Sequence, residues 1–249
     1  MQVYSLTSRG MERSRNEDSY FAETGPDSAL LAVADGMGGH QAGNVASALA
    51  VDTARNLWDE LNHDSSISAE QARSALENLV LDANRAIISE AAKTPSKKGM
   101  GTTLTAGLLR GTHLTIGHVG DSRAYRINNE DILLLTKDHS LLEELLDSGQ
   151  IRPEEAGNHP QRHILTRAVG IDSHLEVDVF EREIEPGSVL LFCTDGLTNQ
   201  VDDEEIKAAC LEYDDPQEMA ETLIDLANDR GGHDNITVVI ATGIGGQRF

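Results

Sequence analysis

Residues 101–127 read GTTLTAGLLRGTHLTIGHVGDSRAYRI. Three strand-like runs, at 101–109, 112–119 and 122–127, follow one another through tight connections, which predicts an antiparallel meander. The breaker Pro95-Ser96-Lys97-Lys98-Gly99 closes off what comes before it. Upstream of that breaker, Ala46, Leu49, Ala50, Thr53, Leu57 and Leu61 recur at helical spacing within 44–61. The pattern repeats over 69–92 with Ala72, Leu76, Leu79, Ala83, Ile87 and Ala91. Further out, 3–8 and 30–35 read as strands. Between them Gly10 to Asp18 is too charged for a core and is a candidate site loop.

Downstream of the meander, Leu141 to Leu146 forms a short amphipathic pattern that yields at Gly149 to a polar stretch reaching Gln161. Residues 141–164 therefore read as an excursion on the surface. Strand patterns resume at 175–183 and 188–193, and Asp202-x-x-Glu205 offers a capping box for a short helix. A second helix is predicted over 216–229. Ile236 to Ala241 is continuously apolar and β-branched, as a strand covered on its sheet face should be. From Gly243 the Gly-rich tail is expected to fray. Strands in two groups and helices in pairs predict two packed sheets with helical outer layers in one domain, 1–243, followed by a tail at 244–249.

The 249 residues carry 42 Asp and Glu against 20 Lys and Arg, a formal net charge of −22. A protein that tracks a phosphate backbone needs the opposite balance, so nucleic acid is not expected as a partner. The longest uncharged apolar run, Ala29 to Ala34, falls far short of the roughly 18 residues of a membrane span. No basic segment and apolar stretch precede the strand pattern that starts at Met1, so no secretory signal is expected. Cys193 and Cys210 have neither zinc nor redox spacing and read as reduced, packed thiols of a cytoplasmic protein.

Four aspartates share one context, a carboxylate at a strand end beside Gly, Ser or Asn: Asp35-Gly36, Asp121-Ser122, Asp195-Gly196 and Asp234-Asn235. Any one of these pairs alone reads as an ordinary turn. Four together read as carboxylates delivered from rigid sheet edges, with Gly permitting close backbone approach. An all-oxygen set of this kind suits magnesium, manganese or calcium rather than zinc.

Seven motifs then occur in a telling order. Arg13-Ser14-Arg15-Asn16-Glu17-Asp18 comes first, then Val33-Ala34-Asp35-Gly36-Met37-Gly38-Gly39-His40, Gly101-Thr102-Thr103 and Val119-Gly120-Asp121-Ser122-Arg123. Leu165-Thr166-Arg167-Ala168-Val169-Gly170, Thr194-Asp195-Gly196-Leu197 and Asp234-Asn235 complete the series. Over nearly its whole length the chain resembles the metal-dependent protein phosphatases of the type 2C family, in their bacterial style. The resemblance implies an α+β fold, a four-layer αββα sandwich of two antiparallel β-sheets flanked by helix pairs, with 141–164 as a small flap subdomain.

It also implies a cofactor of two catalytic Mn2+ or Mg2+ ions, and in bacterial members often a third. By motif position Asp35 would bridge the two ions, the Gly36 carbonyl would join the second, and Asp195 and Asp234 would hold the first. Asp121 with Asp195 matches the third. Glu17 and Asp18 would act through metal-bound waters, with Asn235 beside them. Arg13, with Arg15 as its rival, would hold the phosphate oxygens, and His40 would be the general acid. The implied reaction is hydrolysis of phosphoserine or phosphothreonine by direct attack of a water bridging the metals. Implied partners are phosphorylated proteins, a bacterial Hanks-type Ser/Thr kinase and its substrates, acted on by a cytoplasmic monomer.

Of the remaining histidines, His139 in Asp138-His139-Ser140 is the one offered to the site, whereas His113 and His118 alternate within a strand and read as structural. His63, His159, His163, His174 and His233 receive no role. The competing reading is a catalytically silent regulatory relative of the same fold. Intact Asp35, Asp195 and Asp234 argue against it.

Overall fold

The structure, a computed structural model, describes residues 1–38, 42–61, 67–152, 155, 161 and 163–246. Two antiparallel sheets stack face to face. One contains β2 (Asp18–Thr24), β3 (Ser28–Met37), β5 (Leu104–Arg110), β6 (His113–Val119) and β9 (Asp178–Glu183) in that order, with β4 (Gly101–Thr102) pairing the end of β3. The other runs β1 (Gln2–Ser8), β11 (Ile236–Thr242), β10 (Val189–Cys193), β7 (Arg123–Ile127) and β8 (Ile132–Leu134). Helices α1 (Gly43–Leu61) and α2 (Ala69–Lys93) cover the first sheet. On the second lie the single turn α4 (Asp195–Thr198), α5 (Asp203–Glu212) and α6 (Pro216–Asp229), while α3 (Leu141–Asp147) belongs to the excursion after β8.

Three apolar clusters correspond to the three interfaces of four layers. Leu31, Val33, Leu114, Ile116, Phe192 and Val239 fill the space between the sheets. Ala46, Trp58, Leu76, Ile87 and Leu104 pack the first helix pair onto its sheet, and Leu191, Ile206, Leu223 and Ile240 do so for the second. Each fully buried large side chain contributes about 1.5–3 kcal/mol relative to exposure. The helix starts are held as the sequence suggests. Ser68 with Gln71, and Asp202 with Glu205, form reciprocal capping boxes, and Asp215 caps α6 ahead of Pro216.

The antiparallel meander, the helix pair and the four layers agree with the sequence reading. Four details differ. The run 101–109 is broken at Thr103, whose side chain turns aside to bond the neighbouring strand, so that β4 and β5 are separate. Asp18–Thr24 is a full strand paired along β3, although its alternation is muted because only Phe21 is buried. β8 is a three-residue edge strand with Leu133 and Leu134 exposed. The tail expected to fray from Gly243 is anchored at Ile244 and turns as far as Gly246: Ile244 joins the inter-sheet core, and its carbonyl accepts from Gly187 N–H. Among the described residues no helix is long and apolar enough to cross a membrane.

Candidate active site

Strand direction brings the sequence motifs together. β3, β6 and β10 end, and β2 and β11 begin, at the same edge of the sandwich, so Asp35, Asp121, Asp195, Asp18 and Asp234 meet there. Asp35, Gly36, Asp121, Asp195, Asp234, Arg13, Glu17 and Asn235 line one cavity of about 800 Å3. Asp18 lies at the start of β2, directly opposite Asp35 in the strand register. His40 lies outside the described residues.

Asp35 is held through its backbone. Its N–H donates to Thr103 Oγ1 at 2.8 Å, and its carbonyl accepts from Thr103 N at 2.9 Å and Thr102 Oγ1 at 2.8 Å. Thr103 Oγ1 is shared with Ser122 Oγ at 2.7 Å, next to Asp121. This explains the Gly-Thr-Thr motif: two hydroxyls satisfy the buried main chain at the strand end and leave the carboxylate oriented into the cavity. Gly36 is required by proximity, since a Cβ there would fall 2.3 Å from Gly43 O and 2.5 Å from Glu17 O. Gly196 is tighter still, at 1.9 Å from Asn235 O.

Asn235 organises the first motif. Its Oδ1 accepts from Glu17 N at 2.8 Å, and its amide donates to Arg9 O at 2.9 Å and Arg15 O at 2.8 Å. The carbonyl of Arg15 is thus a fixed point of the loop, while Arg13 reaches the site: its Nη2 donates to Asp234 Oδ2 at 2.6 Å. Asp18 Oδ2 accepts from Thr194 Oγ1 at 2.9 Å and Thr237 Oγ1 at 2.7 Å. Asn199, four residues after Asp195 on the α4 turn, donates to Asp195 Oδ2 at 2.9 Å.

The electrostatics are those of a site built for cations. Glu17, Asp35, Asp121, Asp195 and Asp234 share the lining with Arg13, so with every carboxylate ionised and the histidines neutral its formal charge is −4, which two divalent ions would neutralise. Burial raises Asp35 well above the usual carboxylate range, and Asp18, Asp195, Asp121 and Asp234 push it further. Burial lifts Asp121 to about 8, helped by Asp195 and Asp138, and Asp18 to about 7 against the pull of two threonine hydroxyls. Asp195 is raised by burial and by Asp234, with hydrogen bonding to Asp35 among the opposing effects. Asp18 Oδ1 and Asp195 Oδ1 are buried without any hydrogen-bond partner. Orphaned anionic oxygens beside other carboxylates fit oxygen-loving divalent cations. Among the described residues no three Asp, Glu, His or Cys side chains are gathered as a closed ligand set. A magnesium-like ion needs no such set, because it keeps several waters and takes only one or two carboxylates.

The sequence misassigned one histidine and passed over two. His139 is not on the cavity wall: it is buried behind Asp121, bonded to Gly120 N and Asp178. His163 and His233 do line the cavity, and His233 Nδ1 contacts Glu12 Oε1 at 2.7 Å. His233 sits beside Asp234, a signal that was legible. His163 lies in the polar excursion, where no periodicity points to it. Asn199 was also findable, since an i+4 spacing from Asp195 places both on one face of a helical turn. His118 is structural as expected, bonded to Thr105 Oγ1 and Lys137 O, with burial holding its pKa down at about 3.

Known proteins resemble the chain over nearly its whole length. The protein phosphatase 2C family model matches residues 7–236. The serine/threonine phosphatase stp of Listeria innocua is 40% identical over 241 residues, spanning 96% of this chain and 95% of that protein. The crystal structure of the Mycobacterium tuberculosis serine/threonine phosphatase PstP/Ppp superposes with a TM-score of 0.88 at 40% identity, covering 97% of each chain. A structure of the catalytic domain of PstP in complex with two manganese ions has a TM-score of 0.84 at 38% identity, again covering 97% of each chain.

Proposed function

The chain belongs to the protein phosphatase 2C family and is a serine/threonine protein phosphatase, and from that premise we propose how its residues divide the work and whom it serves. Asp35, the Gly36 carbonyl, Asp195 and Asp234 would hold two divalent cations, and Asp121 with Asp195 would hold a third. Glu17 and Asp18 sit further back and orient water, with Asn235 fixing the loop that carries them. When bound, the cations lower the pKa of water and offset charge on the phosphoryl oxygens of an in-line displacement. Mn2+ and Mg2+ both suit this all-oxygen donor set.

Arg13 binds the phosphoryl group. Its side chain is half exposed at the cavity rim and already rests against a carboxylate, a geometry that a phosphate can share through the guanidinium fork. His40 donates the proton to the departing seryl or threonyl oxygen, a role argued from its place in the second motif alone. The substrates are phosphorylated proteins of a bacterial Hanks-type kinase, including the kinase itself, in the cytoplasm. At −22 the chain repels polyanions and favours basic segments around the phosphorylated residue.

The observation that carries this reading is the convergence in one cavity of carboxylates whose formal excess charge, when all are ionised, equals that of two divalent cations. Hydrolysis of p-nitrophenyl phosphate and of a phosphothreonine peptide, with and without Mn2+, tests it against Asp195→Ala. Turnover is expected only with Mn2+ and to vanish in the variant. Retained turnover in folded, Mn2+-loaded Asp195→Ala would remove Asp195 from the site.

A further inference from the structure

We propose that His139 is a positioning residue: its imidazole holds the turn that carries Asp121, and its main chain ties that turn to the segment walling the catalytic cavity. The proposal rests on the reading of Asp121 as a cation ligand.

Two bonds join residues 120 and 139. Gly120 N donates to His139 Nδ1 at 3.1 Å, and His139 N donates to Gly120 O at 2.7 Å. Because Nδ1 accepts, the ring proton sits on Nε2, which faces Asp178 Oδ2 at 3.2 Å. Asp178 Oδ1 in turn accepts from Arg167 Nη1 at 2.8 Å. The main chain of the same residue points the other way. His139 O accepts from Thr166 N at 2.9 Å, Ser140 pairs with Leu165 as an isolated β-bridge, and Leu141 N donates to Ile164 O at 2.8 Å. Leu165 lines the cavity that Asp121 lines.

The residue type follows from the geometry. Gly120 is buried at φ +116°, a conformation that L side chains rarely adopt, so the direction of its N–H is set by the turn. A neutral imidazole presents an acceptor on one edge and a donor on the other. It can receive that N–H and reach Asp178 at once, whereas an amide carries both functions at one end. His139 is 3% exposed, and its ring lies 4.7 Å from that of His118, which fixes its plane. A displacement at 164–166 is therefore transmitted to Asp121 through a single residue.

The two amide variants separate the two functions. His139→Asn places an oxygen near the Nδ1 position and keeps an acceptor for Gly120. His139→Gln places its amide near the Nε2 position and keeps the partner for Asp178. Mn2+ binding, counted from the electron paramagnetic resonance of the free ion, is measured beside the Mn2+ dependence of p-nitrophenyl phosphate turnover. The weakest-bound ion is expected to need about tenfold more Mn2+ in His139→Gln and only about twofold more in His139→Asn, which gives up the outer contact to Asp178 alone. In an Asp121→Ala background the Gln substitution is expected to have no further effect.

Equal behaviour of Asn and Gln, or a full additional effect of Gln on Asp121→Ala, would overturn the proposal while leaving Asp121 in the site. Wild-type Mn2+ binding and turnover in Asp121→Ala would remove the reading of Asp121, and this proposal with it. Should the histidine variants not fold, Asp178→Ala removes the outer contact, together with the partner of Arg167, and leaves the bond from Gly120 N to His139 Nδ1 in place. It is expected to give a smaller shift in the same direction, absent when Asp121 is Ala, and no shift at all would overturn the proposal.

Discussion

Asp35 on one sheet, and Asp195 and Asp234 at the end of the other, are held by different means. On the six-stranded sheet Asp35 is fixed through its own main chain, clamped by Thr102, Thr103 and Ser122, and its carboxylate is left to face other anions. On the five-stranded sheet Asp195 and Asp234 lie just beyond strand ends, on a helical turn and a loop. Their carboxylates have side-chain partners, Asn199 and Arg13. A main-chain clamp gives one position and no electrostatic relief. Side-chain partners relieve charge but move with their own rotamers. The central carboxylate thus sits on the stiffer support, while Asp234 sits where the half-exposed Arg13 reaches it.

Asp35→Asn breaks this comparison at its centre and has the largest expected effect. Loss of several kcal/mol of charge stabilisation corresponds to about a 10^3-fold fall in turnover. The same change relieves a buried carboxylate that burial and four neighbouring aspartates keep uncomfortable, so the metal-free protein should gain stability. Turnover with p-nitrophenyl phosphate and thermal unfolding in a chelator check the two halves. A variant both inactive and less stable without metal would mean that the carboxylate has a structural partner.

Removing the metal should expose the charge clash as a pH dependence. Asp18 has an ordinary pKa of 3.8 and one of about 7 in the fold. Folding therefore takes up a proton between those values. The stability carried by the protonated form is complete below pH 3.8 and lost as pH rises through 7, at most about 4 kcal/mol from this group. With chelator present, the unfolding temperature should fall from pH 5.5 to pH 8, and Asp18→Asn should flatten the slope. Mn2+ binds the deprotonated carboxylates, so its stabilising effect should grow over the same interval. A metal-free unfolding temperature that rises with pH would contradict the clash.

The strand-end aspartates were legible because chemistry and patterning coincide there: an apolar run suited to a sheet ends at Asp-Gly or Asp-Ser, or starts straight after Asp-Asn. What surrounds them was less so. Thr103 looked like one more residue of a strand, since nothing in a linear pattern shows that a hydroxyl interrupts the ladder to bond a neighbour 68 positions away. β2 was missed because six of its seven residues are partly or fully exposed and its polar alternation resembles a loop. His139 was offered to the site and placed wrongly, because residue type indicates that a histidine will be hydrogen-bonded and not which side of a turn it occupies. The packed end at Ile244 shows a single apolar residue outweighing a Gly-rich context.

The sharpest use of the comparison sets Thr103→Val against Asn199→Ala. Valine keeps the shape of Thr103 but removes the acceptor for Asp35 N and the partner of Ser122 Oγ, leaving buried polar groups unmet at a cost of about 1–3 kcal/mol. Both the stability of the fold and the activity should fall, because the clamp belongs to the strand end itself. Asn199 closes no buried main-chain group; its amide meets one oxygen of Asp195 from the last residue of a short turn. Alanine there should cost under about 1 kcal/mol of stability yet weaken Mn2+ binding by about tenfold. Denaturant unfolding and Mn2+ titration of both variants separate the cases. Equal losses of stability would show that the two sheets support their carboxylates alike, and the distinction between clamp and partner would then have no energetic content.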